Sequence, residues 1–185
     1  MSHTKRRLEE ISEDGQIDMN NDNIHVLKVT EWPSVNRIKI NRITSIVDFL
    51  ILKKEFLQLA FDFVENAKGL GLAANQAGDE NSWFIMRHSE YGLILVINPL
   101  FIGGIERKQY IEGCFSIPGQ HFKVRRYKNI QVDFHWTTVP SLWKDTPLSS
   151  LKFYSGGLSG QDAQIFQHEF AHLCGKCIKD VGEEV

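Results

Sequence analysis

Apolar residues recur along this chain first at helical spacing, then at strand spacing, then at helical spacing again. From Ser45 to about Lys68, Val47, Leu50, Ile51, Phe56, Leu57, Leu59, Ala60, Phe63, Val64 and Ala67 fall three and four residues apart, which predicts a long amphipathic helix with a wide buried face. Ser45 is placed to cap that helix, Asp48 stands three residues later in a capping-box-like position, and Gly69 ends it. The period then drops to two. Trp83 to Arg87 and Gly92 to Asn98 read as strands around a turn near Ser89 to Gly92, and Ile130 to Trp136 alternates as a half-buried strand does. Leu151 to Tyr154 makes one more short strand, closed by Gly156-Gly157. Helical spacing returns from Ser159 to about Leu173, where Ile165, Phe166, Phe170 and Leu173 form the apolar face. Ser159 or Asp162 caps that helix and Gly175 stops it.

Pro99, Gly103-Gly104 and a loop from Thr137 to Ser150 containing Pro140 and Pro147 punctuate the strands. Upstream, Ile24 to Val29 alternates loosely and suggests a short strand before Trp32-Pro33 breaks regular structure. Strands in series with two long helices, without β-α-β alternation, predict an α+β fold. Its expected form is mostly antiparallel sheet packed around a central C-terminal helix, with a second long helix near the N-terminus. A chain of 185 residues suits one core, so residues 24–185 are expected to form a single catalytic domain. Residues 1–23 are polar, carry no apolar face and are expected to be a mobile arm.

Composition narrows the function classes. A formal charge of -2, with 24% charged and 42% hydrophobic residues, gives no general attraction to nucleic acid or to an anionic membrane, and binding to neither is expected. The basic start, Met1 to Arg7, is followed by acids rather than by an apolar stretch, and the longest apolar runs, Phe49 to Leu52 and Leu93 to Ile97, are far too short to span a bilayer. A soluble cytoplasmic protein is the expectation. Three cysteines, an odd number, argue for reduced thiols, so thiolate ligands are available.

The chemistry centres on Gln167-His168-Glu169-Phe170-Ala171-His172. Inside a helix, His168 and His172 stand four apart on one face and can reach one divalent ion, while Glu169 sits out of line with them and is better placed to handle a proton on a water. An isolated Cys114 lies upstream in Glu112-Gly113-Cys114-Phe115-Ser116. Gly69-Leu70-Gly71-Leu72-Ala73-Ala74-Asn75-Gln76 suits close backbone approach, and lacks both the glycine spacing and the Lys-Ser/Thr of a phosphate loop.

Those three segments, in that order, resemble the three motifs of the peptide deformylases, enzymes that remove the N-formyl group from newly made polypeptides. The resemblance runs from about residue 27 to residue 180. It implies that Cys114, His168 and His172 hold the metal with a fourth position left for water, that Glu169 is general base and acid, and that the Gln76 amide and the Phe115 backbone N–H stabilise the oxyanion. Gly71 and Leu70 would bind the substrate, which adds as a strand, with Gln164 and Ile165 near the pocket. The metal implied is one divalent ion per chain, Fe2+ first, with Zn2+, Ni2+ or Co2+ able to replace it. The substrate implied is an N-formylmethionyl peptide. A ribosome contact near the exit tunnel, a monomeric state and a compact bacterial or phage-encoded version acting in the cytoplasm complete the expectation.

The third motif departs from the family pattern at Ala171, where an Asp is usual, and Cys174 stands where a small polar residue is usual. Cys174-Gly175-Lys176-Cys177 follows a helix C-terminus, the wrong end to stabilise a thiolate, and reads as two reduced thiols in a turn. His121 is expected to be solvated. Two rival readings stand: a zinc protease drawing its third ligand from downstream of the His-Glu-x-x-His, where only Glu183 and Glu184 offer one, and an inactive binding protein that keeps the fold.

Overall fold

The computed structural model describes residues 27–138 and 150–185. The expected arm over residues 1–23 and the loop positions Pro140 and Pro147 lie outside the described residues. Of the strand expected over Ile24 to Val29 only the end is described, and Leu27 to Val29 are irregular.

The helix expected from Ser45 to Lys68 is two helices, α1 (Ile46–Leu52) and α2 (Lys54–Asn66). Ser45 caps α1 through Asp48 N–H. Lys53 leaves the helical region at φ -101° and ψ 8°, and its ammonium reaches Asp79, 3.4 Å away. The break has a packing reason. The apolar stripe is too wide for one straight helix to bury, and the turn at Lys53 lets Phe49 and Leu50 from α1 and Leu57, Ala60, Phe61 and Val64 from α2 all face inward, while Leu52 is left 82% exposed.

Five strands follow as an antiparallel meander: β1 (Gly71–Ala73), β2 (Trp83–His88), β3 (Gly92–Cys114), β4 (Ile117–Thr138) and β5 (Lys152–Ser159), hydrogen-bonded in that order. The short strands expected at Gly92–Asn98 and Ile130–Trp136 are the far ends of one β3–β4 hairpin. Pro99 and Gly103-Gly104 do not end β3, because the register shifts between Ile97 and Leu100 and again between Phe101 and Gly103, so these residues sit at bulges. Asn98, at φ 50°, fixes the first bend by bonding Ile43 N–H and C=O through its side chain. Gly156-Gly157 likewise lie inside β5, opposite Val132 and Gln131.

Helix α3 (Gly160–Leu173) then crosses the sheet, and a short helix α4 (Ile178–Val181) leads into β6 (Gly182–Glu184), which pairs with the start of β4. Ser159 stands at the N-cap of α3 without a side-chain bond, and Asp162 in the first turn holds Ser89 N–H and Oγ instead. Gly175, at φ 69°, ends the helix in the left-handed conformation that glycine adopts without strain.

The first two long strands separate two cores, because successive side chains on a strand point to opposite faces. Trp83, Ile85, Leu95 and Ile97 pack with Leu57, Phe61 and the rest of α2. Phe84, Met86, Ile94 and Val96 pack with Ala163, Ile165 and Phe166 of α3, the Phe84 and Phe166 rings meeting edge to face at 5.2 Å. Helix and antiparallel sheet are therefore mixed as expected, with α3 held on one face of the sheet and α2 on the other. Among the described residues no helix is long and apolar enough to cross a membrane.

Candidate metal centre

Helix α3 is locked in rotation by Gln167, whose side-chain amide accepts from Tyr127 N–H and donates to Tyr127 C=O, both at 2.9 Å, as if it were a residue of a neighbouring strand. With that face fixed, His168, Glu169 and His172 point at the end of β3. Cys114 Sγ and one ring nitrogen from each histidine lie within 4.8 Å of one another, and Cys114 Sγ is 3.2 Å from His172 Nε2. A tetrahedral ion about 2.0 Å from nitrogen and about 2.3 Å from sulfur needs donors spaced on this scale. The donor set therefore fits a divalent ion.

The second ring nitrogens differ. His168 Nδ1 meets Glu112 Oε2 at 3.0 Å, which leaves Nε2 for the ion. Glu112 is also paired with Arg126 through Nη2 (2.8 Å) and Nε (3.2 Å), and accepts from Gln164 at 3.2 Å. Burial alone would raise the Glu112 pKa, but the bonds from His168 and Arg126 outweigh it and bring it down to about 2. Burial likewise disfavours charge on His168, yet its bond to Glu112 and the nearby Glu169 raise its pKa overall. His172 is held well below the usual histidine range by burial and by His168. Its Nδ1 is buried with no hydrogen-bond partner among the described residues.

Glu169 is 3% exposed, and its Oε2 also lacks a partner among the described residues. Burial raises its pKa to about 7. Its Oε1 occupies the space that a Cβ on Gly71 would need, and its Cδ is 2.7 Å from that point. Gly71 is thus required by the carboxylate behind it, whatever approaches from the other side.

Gln76 is oriented without ambiguity. Ala73 N–H donates to its Oε1 at 2.9 Å, so its Nε2 must face the site, where it meets Cys114 Sγ at 3.4 Å and Ser116 Oγ at 3.2 Å. A cavity of about 470 Å³ opens over these groups. Leu70, Ile111, Phe115 and Ile165 supply apolar wall, and Gln76, Cys114, His168 and Glu169 lie at its polar end. The Phe115 ring packs edge to face on Phe63 at 5.0 Å and fills the space beside Gly69. Glu183 and Glu184 pair with Lys123 and Phe122 in β6, away from the donor set. His121 is exposed.

Three contributors were not assigned a role from sequence. Glu112 sits two residues before Cys114 on one strand, hence on the same face, a signal that needed only the strand to be recognised. Arg126 becomes visible only from the β3–β4 register, where Glu112 faces Phe122, four residues and two strand repeats before Arg126. The third is Cys177. Cys174 and Cys177 are both free thiols, but Cys177 is 1% exposed with its Sγ 3.7 Å from Cys114 Sγ, whereas Cys174 is exposed. Contact between the two sulfurs lowers the Cys177 thiol, to about 7, and together with burial raises that of Cys114.

A thiolate, two imidazoles and a buried carboxylate at the end of an apolar cavity define a metal-dependent hydrolase. The comparisons agree. Residues 33–140 match the family model for polypeptide deformylase, a span that holds the segments around Gln76 and Cys114. A peptide deformylase of Borreliella burgdorferi is 31% identical over 150 residues, covering 80% of this chain and 82% of that protein. The crystal structure of peptide deformylase from Thermotoga maritima superposes with a TM-score of 0.70 at 26% identity, covering 86% of this chain and 99% of that one. A probable peptide deformylase from synechococcus phage S-SSM7 superposes with a TM-score of 0.67 at 25% identity, covering 84% and 99%. The chain belongs to the peptide deformylase family.

Proposed function

We propose that this protein hydrolyses the formyl amide at the N-terminus of newly made polypeptides, with one divalent ion held by Cys114, His168 and His172 on the metal-binding helix α3 and the end of β3. The observation that carries the reading is the convergence of three donors, the unpartnered Glu169 oxygen and the fixed Gln76 amide at the polar end of one cavity. When bound, the ion supplies a Lewis acid and acidifies a water. Glu169 takes the proton from the attacking water and returns it to the leaving amine, a round trip suited to a carboxylate raised to about 7. Gln76 Nε2–H and the Phe115 backbone N–H donate to the oxyanion that develops as the formyl carbon becomes tetrahedral.

Substrate geometry follows from β1. It is the terminal strand of the meander, and a peptide laid along it as a further strand beside Gly71 brings its first side chain towards Leu70, Ile111, Phe115 and Ile165. That lining suits an unbranched apolar residue such as methionine. Residues 24–185 act as one catalytic domain on this reading, as a monomer in the cytoplasm, on chains emerging near the ribosomal exit. Fe2+ is the resident ion inferred from the family resemblance, with Zn2+, Ni2+ and Co2+ compatible with the same donors.

Purification without oxygen, metal counting and an assay of formate release from a formyl-methionyl peptide test the proposal. The parent releases formate, and Glu169→Gln keeps its metal while turnover falls by about 10²–10⁴. Stoichiometric metal without formate release would overturn the reading in favour of a binding protein, and cleavage at internal peptide bonds would point to the protease.

A further inference from the structure

The mechanism leaves one buried nucleophile unused. Cys177 begins α4, its N–H bonded to Asp180 Oδ2 at 2.7 Å, and it packs with Ile117, Phe122, Val124 and Ile178 directly behind Cys114. Its Sγ is 3.7 Å from that of Cys114. The two sulfurs differ in access. Cys114 lines the open cavity, whereas Cys177 is 1% exposed and is not part of the cavity wall. A small oxidant entering the cavity therefore meets Cys114 first, with a second thiol already in contact on the closed side.

We propose that Cys177 is the resolving thiol of Cys114, so that a hydroperoxide converts the metal-free site into a reversible Cys114–Cys177 disulfide. In the first step the Cys114 sulfur attacks one peroxide oxygen and gives up its thiol proton: the O–O bond breaks, an S–O bond forms, and the leaving hydroxide takes that proton as water. The Cys177 sulfur then attacks the Cys114 sulfenic sulfur. An S–S bond forms, the S–O bond breaks, and the departing hydroxide takes the Cys177 proton as a second water. Two thiols and one hydrogen peroxide thus give one disulfide and two waters. The sulfurs must close from 3.7 Å to the bonding distance of about 2.05 Å. The product has no Cys114 thiolate to offer an ion. It also stops oxidation before the irreversible sulfinic stage, and a dithiol reductant restores the free pair. Cys174, exposed at the end of α3, takes no part, although Cys174 and Cys177 have the sequence spacing of a redox motif. The loss of metal binding rests on Cys114 being a ligand; the disulfide itself does not.

The test treats the full-length, metal-free chain with a several-fold molar excess of hydrogen peroxide and reads intact mass, disulfide-linked peptides, and uptake of Co2+ before and after reduction with dithiothreitol. The parent loses two hydrogens, yields a linked peptide joining Cys114 to Cys177, no longer takes up Co2+, and regains it on reduction. Cys174→Ser behaves as the parent. Cys177→Ser and Cys177→Ala instead gain two or three oxygens at Cys114 and do not recover Co2+ uptake on reduction. A linked peptide containing Cys174, or sulfinic acid at Cys114 in the parent without a disulfide, overturns the proposal, and the peptide map needs no variant to fold. If the disulfide forms but the reduced parent never bound Co2+, the resolving role stands and the ligand assignment of Cys114 fails.

Discussion

His168 and His172 come from one helix, four residues apart, yet the two sides of the site that receive them are built differently. On the side of the β3–β4 hairpin, His168 meets Glu112, which is itself clamped by Arg126 and Gln164. On the side of the segment after β1, the His172 ring is 1% exposed with a bare Nδ1, and the support reaches its main chain: Asn75 Nδ2 donates to its C=O at 2.7 Å, and Gly175 N–H to the same oxygen at 2.9 Å. One ligand is oriented by a charge network, the other by packing and backbone bonds. Carboxylate support fixes the tautomer and strengthens the imidazole as a ligand. The comparison therefore teaches that the grip on an ion is asymmetric, strong in direction at His168 and strong only in position at His172.

The largest disturbance comes from the supported side. Arg126→Ala leaves Glu112 ionised, buried and without its guanidinium, and unfolding by urea is expected to show a loss of about 3–5 kcal/mol. Arg126→Lys keeps the charge but not the two-pronged geometry and falls between. A loss under 1 kcal/mol for the alanine variant would mean that the network contributes little and that the two sides are equivalent.

The next effect is a pH dependence, in which two carboxylates of one site run in opposite directions. Glu112 has a folded pKa lowered to about 2, below its ordinary 4.5, so its contribution to stability is fully present above pH 4.5 and is lost as the pH falls towards 2. Glu169 has a folded pKa raised to about 7, so in the metal-free protein ionisation costs stability increasingly from pH 4.5 up to pH 7. Metal-free Glu169→Gln is thus expected to exceed the parent by about 3 kcal/mol at pH 8 and to match it below pH 4.5. Thermal melts across pH 3–9, with Glu112→Gln showing the opposite trend, separate the two. A flat Glu169→Gln difference would remove the buried carboxylate from the argument.

Much of this asymmetry was hidden in the sequence for physical reasons. Helical spacing over residues 45–68 and 159–173, four of the strands and the histidine pair follow from local periodicity and motif spacing, because those signals depend on neighbours a few residues apart, whereas Cys114 joins the pair as a donor only through the family resemblance. The break at Lys53 does not, since it arises from a stripe too wide for one helix and from a reach to Asp79. Nor does the length of β3 and β4, because Pro99 and Gly103-Gly104 end a strand as readily as they bulge it, and pairing with a partner strand decides which. Arg126 and Cys177 join the site through register and chain return, 12 and 63 residues from Cys114 in sequence.

Glu112→Gln sharpens the comparison at the ion itself. The amide retains the size of the side chain but removes the charge that holds His168, and a loss of about 10–100-fold in metal affinity is expected from competition with a chromophoric chelator. Asn75→Ala, the matching change on the other side, removes main-chain support without touching a ring nitrogen, and its effect on affinity is expected to be smaller than that of Glu112→Gln. The reverse order would show that position, not direction, limits the grip.

The smallest effect is expected at Ala171, the departure from the usual motif. Residues adjacent on a helix point about 100° apart and do not face each other, so an acid at position 171 is poorly placed to reach Nδ1 of His172. It would also add a negative charge in the last turn of α3, where Ala171 C=O already accepts from Cys174 and Lys176 N–H, and where the helix end disfavours anions by about 0.3–1 kcal/mol. Ala171→Asp is therefore expected to lower the stability of the metal-free protein by less than about 1 kcal/mol and to leave chelator-measured metal affinity within about threefold of the parent. A tenfold gain in affinity would show that the helix can turn the acid onto the bare nitrogen, and the two sides of the site would then differ by one side chain rather than by design of the sheet.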